Sequence, residues 1–88
     1  MPTDYIKQPE YKIKKVELIE YDDKGQIKSC TEVPHPISIF YSINTAKDSL
    51  ENYYKGFGEW RFENNNFICN YARDGIMFAI IAQIENKG

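Results

Sequence analysis

The chain has one histidine, two cysteines and two arginines, and each scarcity removes a class of chemistry. A structural zinc site takes four Cys or His ligands. Cys30, Cys69 and His35 supply three, and neither a CxxC nor an HExxH spacing occurs. No metal and no cofactor is expected, and the two thiols read as small apolar side chains. His35 is the one side chain whose unperturbed charge changes near neutrality. With Cys30, near the end of the second strand, it makes the only nucleophile–base pair on offer. Nothing marks that thiol as activated, because no helix start or basic cluster lies beside it. The plainer reading is a histidine held in a turn by Pro34 and Pro36.

Long apolar runs are also missing. The longest, Ile76 to Ala82, has the length of a strand and not of a membrane span. The opening Met1-Pro2-Thr3-Asp4-Tyr5-Ile6-Lys7 has no apolar signal region. The expected compartment is therefore the cytoplasm, with reduced thiols and no membrane partner. A basic excess is absent too: the net charge is -2. Phosphate neutralisation drives nucleic-acid affinity, so nucleic acid is not the expected partner. Gly56-Phe57-Gly58 follows a helix and does not open one, which is the wrong end for a phosphate cradle. Asp22 and Asp23 share a turn but lack the further oxygen ligands of a calcium loop.

What is present suits one small globular domain. Of 88 residues, 42% are apolar and 27% charged, more hydrophobic than a disordered chain. Residues 1–10, with Pro2 and Pro9, read as a polar arm and residues 11–88 as a single α+β domain. Phe67 to Tyr71, then Ala72-Arg73-Asp74-Gly75, then Ile76 to Ile84 reads as strand, turn, strand. The last strand is apolar on both faces, which places it in the middle of a sheet.

Tyr11 to Tyr21 is the first strand, with Tyr11, Ile13, Ile19 and Tyr21 on one face and Val16 and Leu18 on the other. Lys15 and Glu17 interrupt the alternation, which asks for a bulge near Lys14-Lys15. Asp22-Asp23-Lys24-Gly25 reads as a hairpin loop, and Gln26 to Val33 as the returning strand. Pro34-His35-Pro36 stops the sheet. Ile37 to Ile43 fits a strand or the start of a long helix. Ala46 to Lys55 is helical in both readings, with Thr45 as N-cap and Ala46, Leu50, Tyr53, Tyr54 and Phe57 as the buried stripe. Glu59 to Glu63 is a third strand, and Asn64-Asn65-Asn66 a turn. The order is β-β-α-β-β-β: a mostly antiparallel sheet of about five strands with one helix on one face.

The compositional surprise is an aromatic share of 15%, led by seven tyrosines. One helix and one sheet cannot hide every ring, and tyrosine is enriched at protein interfaces. Tyr5, Tyr11, Tyr21 and Tyr41, with Lys12 and Lys14, form the candidate partner-binding set. The plainer reading of the lysines is an edge strand guarded against aggregation. The expected function is a non-catalytic protein-binding domain that docks on a larger partner, as inhibitor, antidote or adaptor. Compact phage-encoded inhibitors are of this size and character. The alternative is a small-ligand or nucleotide binder, with Tyr71 stacking on a base and Arg61 and Arg73 pairing with phosphate. A third reading is a nuclease-type enzyme with His35 as acid or base. An open edge at Tyr11 to Tyr21 would also admit a homodimer by strand pairing.

Asn70-Tyr71 through Asp74-Gly75 into Ile76-Met77-Phe78-Ala79-Ile80-Ile81-Ala82, in this order of elements, is similar to the turn and central strand of longin-type domains of membrane trafficking. The apolar strand that opens those domains and the helices that follow in them are missing here. The resemblance implies a binding role.

Overall fold

Six strands and one helix are formed by residues 10–35 and 39–86, which the computed structural model describes. The strands are β1 (Tyr11–Tyr21), β2 (Ile27–Val33), β3 (Ile39–Phe40), β4 (Trp60–Glu63), β5 (Asn66–Arg73) and β6 (Ile76–Asn86), with α1 (Ile43–Tyr53) between β3 and β4. All pairings are antiparallel, in the order β2-β1-β6-β5-β4, and β3 adds to β1 beside β2. The fold is the expected α+β sheet with a helix on one face, enlarged by the two-residue β3. The expected arm, apart from Glu10, lies outside the described residues.

The doubly apolar β6 is central, between β1 and β5. β1 is interior as well, between β6 and the β2–β3 side, and this corrects its reading as an edge strand. The bulge falls where the broken alternation asked for it: Ile13 pairs with Ile84, but Lys15 pairs with Gln83. The extra residue, Lys14, changes the phase of the strand. Tyr11 and Ile13 therefore join Val16 and Leu18 under the helix, while Ile19 and Tyr21 turn to the other face. That regroups the faces expected from simple alternation.

Ile13, Val16, Phe67, Cys69, Ile80, Ala82 and Ile84 form the sheet's side of the core, and Ala46 and Leu50 the helix's side. Phe67, Ile13, Leu50 and Val16 are almost wholly enclosed, and each such side chain contributes about 1.5–3 kcal/mol by leaving water. The helix starts one turn earlier than Thr45 would set it. Ser42, in extended backbone, is the cap: its Oγ accepts from the Thr45 N–H at 3.1 Å. The last turn ends at Tyr53, which is half exposed and not part of the buried stripe. Tyr54 leaves helical geometry, and its ring packs on Trp60 at 5.8 Å.

The turns follow their residues. Gly25 has φ +80 and donates its N–H to the Asp22 carbonyl at 3.0 Å. Asp22 Oδ1 accepts from the Lys24 and Gln26 N–H groups, each at 2.9 Å, which holds the loop. Asn64-Asn65 and Asp74-Gly75 are two-residue hairpin loops with both members at positive φ, the geometry that suits twisted strands.

Candidate functional site

The candidate partner-binding residues lie at two ends of one sheet. Tyr11 pairs with Phe40 and Lys12 with Ile39, so both stand beside Tyr41. Tyr41 is 59% exposed, whereas Tyr11 is half-buried against the core. Lys14, the bulged residue, is exposed nearby. Tyr21 closes the other end of β1, about 33 Å away at the rise of a strand. Tyr5 lies outside the described residues. The lysines do not guard an open edge, since β1 is paired on both sides; Lys15 forms an ion pair with Glu17 at 3.7 Å.

The Tyr21 end gathers side chains that the alternation of residues did not single out. Tyr21 pairs with Ile27, and Glu20 pairs with Phe78, so Met77 stands level with Tyr21 one step on. Ile27 is 62% exposed, Met77 52% and Ile76 39%. Glu20, Tyr21, Asp22, Asp23, Lys28 and Ile76 line a shallow depression of about 290 Å³. Lys28 Nζ lies 3.4 Å from Glu20 Oε2 on its rim. Ile27 and Met77 lie with Tyr21 on the helix-free face, whereas Ile76, paired with Arg73, lies with Glu20 and Phe78 on the helix face. The sequence signal was the apolar pair Ile76-Met77 directly after a turn, opposite the other hairpin's Ile27.

The residues of the ligand-binding alternative do not converge. Arg61 pairs with Ile68, across from Ile81, on the face without the helix, and its Nε donates to Glu63. Tyr71 and Arg73 lie on the helix face. The rings there contact one another: Phe57 meets Tyr71 at 4.8 Å with the planes tilted, and Tyr71 stacks on Phe78 at 5.1 Å, nearly parallel. Arg73 already sits over Phe57, 6.0 Å from its centroid. Burial pushes the Tyr71 hydroxyl's pKa up, opposed by Arg73.

Cys30 is exposed on β2 and its Sγ donates to Glu17 Oε2 at 3.3 Å. That hydrogen bond, before burial and the charge of Glu17, raises the thiol's pKa, against the pull of Lys15. The environment favours the thiol over the thiolate, the reverse of an activated nucleophile. Cys69 is buried in the core and its thiol is raised by burial. Among the described residues Trp60 Nε1, which is buried, has no hydrogen-bond partner. Among the described residues no cluster of His, Cys, Asp and Glu could hold a metal ion, and no helix is long and apolar enough to cross a membrane. Comparison with protein families, with curated proteins and with solved structures finds no significant match to this chain.

Proposed function

We propose that this chain is a non-catalytic protein-binding domain that docks on a larger protein through the hairpin end of its sheet. The observation that carries the reading is the exposure of Ile27 and Met77 on either side of half-buried Tyr21, all three on the helix-free face. Large apolar side chains exposed together mark interaction surfaces more often than singly scattered ones do. Glu20, Asp22, Asp23, Lys24 and Lys28 surround them with charge, the polar rim that encloses an apolar interface centre. A partner with an apolar cleft and a polar margin fits this end. Tyr21 and Ile27 would supply the anchor, and the hairpin loop, held by Asp22, would present them with little ordering cost. Blocking the partner's own site gives an inhibitor or antidote, of which compact phage-encoded proteins are the type; bridging two partners gives an adaptor.

The test is a pull-down from the source cell's lysate with wild type, Ile27→Asp/Met77→Asp and Tyr41→Ala, read by mass spectrometry. One protein kept by wild type and by Tyr41→Ala, and lost by the hairpin variant, is the expected result. A protein lost only by Tyr41→Ala would move the interface to the other end of β1. No protein retained by wild type would sink the docking reading.

A further inference from the structure

The β1–β2 hairpin carries a larger negative charge than the whole chain. Residues 17–32 hold five acidic side chains and two lysines, a net charge of -3, against -2 for all 88 residues. Two of those acids are offset locally: Lys15 Nζ lies 3.7 Å from Glu17, and Lys28 Nζ 3.4 Å from Glu20. Asp23 and Glu32 are exposed, and among the described residues they form no ion pair. Lys24 is the hairpin's remaining positive charge.

We propose that the protein docking on this end presents a basic surface, arginine and lysine side chains around an apolar centre, and that charge steers its approach. The inference rests on the docking reading and names the chemistry of its partner. Three observations choose that occupant. First, free carboxylates lie around the apolar residues. Asp23 stands in the loop that follows Tyr21. Asp74, exposed and without an ion pair among the described residues, stands in the loop before Met77. Glu32 pairs with Glu17, which is four residues from Tyr21 on the same face, about 13 Å at the rise of a strand.

Second, Glu32 and Glu17 oppose each other within the sheet, like charge against like. Glu17 has Lys15 and the Cys30 thiol beside it; Glu32 has no ion pair, and a cation from outside offsets the repulsion. Third, the depression beside Tyr21 has Glu20, Asp22 and Asp23 in its lining, and its one lysine, Lys28, is held by Glu20. A basic side chain suits that lining and an acidic one does not.

The same charges turn other occupants away. A second copy docked isologously would set this acidic patch against itself. Nucleic acid and anionic lipid would bring phosphate to carboxylate. Charges at the rim of an interface act on the association rate and its salt dependence, whereas the centre acts mainly on dissociation. Ile27 and Met77 therefore hold the partner, and Asp23 and Glu32 draw it in.

The experiment purifies the protein retained in the pull-down and times its binding at low and at high salt. The samples are wild type, Asp23→Lys/Glu32→Lys and Lys12→Glu/Lys14→Glu. Far-UV circular dichroism confirms that each is folded. Association with wild type should slow on the order of tenfold from low to high salt, since added ions screen the steering field. Asp23→Lys/Glu32→Lys should slow it on the order of tenfold at low salt, remove most of the salt dependence and leave dissociation nearly unchanged. Lys12→Glu/Lys14→Glu, at the other end of β1, should not slow it. Sedimentation equilibrium at low salt should find wild type alone monomeric. A retained protein that associates at one rate throughout, or faster with Asp23→Lys/Glu32→Lys, would overturn the basic partner while the docking reading stands. A wild-type dimer broken by Ile27→Asp/Met77→Asp would overturn it by giving the face to a second copy. No retained protein would end both readings together.

Discussion

Tyr54 joins three parts of the molecule. Its hydroxyl donates to the Pro34 carbonyl, its ring meets Trp60 and Phe57, and its N–H caps the helix by donating to the Leu50 carbonyl at 2.9 Å. Burial, then the neighbouring Tyr53, pushes its pKa up to about 12. A raised folded pKa means that the native state holds the proton more tightly. The contribution is complete below the unfolded tyrosine pKa of about 10 and is lost as pH rises towards about 12. Stability should therefore fall across that window. Tyr54→Phe should cost about 1 kcal/mol at neutral pH and make the alkaline decline shallower, as urea unfolding at stepped pH would read. A decline of the same slope would assign the alkaline limit to another group. Leu50→Ala removes an enclosed side chain at the helix–sheet contact and should cost about 2–5 kcal/mol in the same assay. At this scale the sequence was legible for Ala46, Leu50, Trp60 and Phe67, whose positions in helix and strand fix their direction. It misled for Tyr53. Helical spacing put Tyr53 and Tyr54 on one stripe, but the helix ends between them, and only Tyr54 turns inward.

The bulge at Lys14 shows how one residue directs a whole strand. Deleting Lys14 would restore unbroken alternation and keep Tyr11, Ile13, Val16 and Leu18 on one face, with Ile13–Ile84, Lys15–Gln83 and Val16–Ala82 as consecutive pairs. The loss should therefore stay below the roughly 1.5–3 kcal/mol of one buried side chain, and denaturant unfolding of the deletion variant would measure it. A deletion that costs more than about 3 kcal/mol would show that the bulge itself, and not only the phase it sets, holds β1 in place. Ser42→Ala should cost about 1 kcal/mol by removing the cap, whereas Thr45→Ala should cost less; thermal unfolding separates the two. The turns and β6 were legible because Gly, Asn and a doubly apolar run carry their own local physics. β3 was not, because two paired residues are too few to display a period. The cap was misplaced because Ser42 and Thr45 are chemically alike and stand one turn apart. Their hydroxyls are 2.7 Å from each other, so both take part in the helix start.

At the scale of the molecule, the order β2-β1-β6-β5-β4 leaves β2 and β4 outermost and encloses β1. Local pattern shows that a strand exists and which side is apolar; it does not say which strand lies beside it. That is why lysines on β1 read as edge guards, and why the exposed pair Ile27 and Met77 beside Tyr21 was missed: those two come to one face only through the pairing of distant strands. Hydrogen exchange should rank the strands accordingly. Amides of β1 and β6 should be the slowest, and the outward-facing amides of β2 among the fastest in dilute solution. Protection of β2 equal to that of β6 in dilute solution would contradict this order. The pairing of Ile13 with Ile84 also sets a time. A chain made from its N-terminus at about 5–20 residues per second completes the β1–β2 hairpin some 3–10 s before Ile84 is added. Through that interval β1 has its β6 side open and its apolar residues in water. Production of this fold is therefore governed less by the final stability of the sheet than by what keeps a lone hairpin from finding the wrong neighbour while its last strand is still being synthesised.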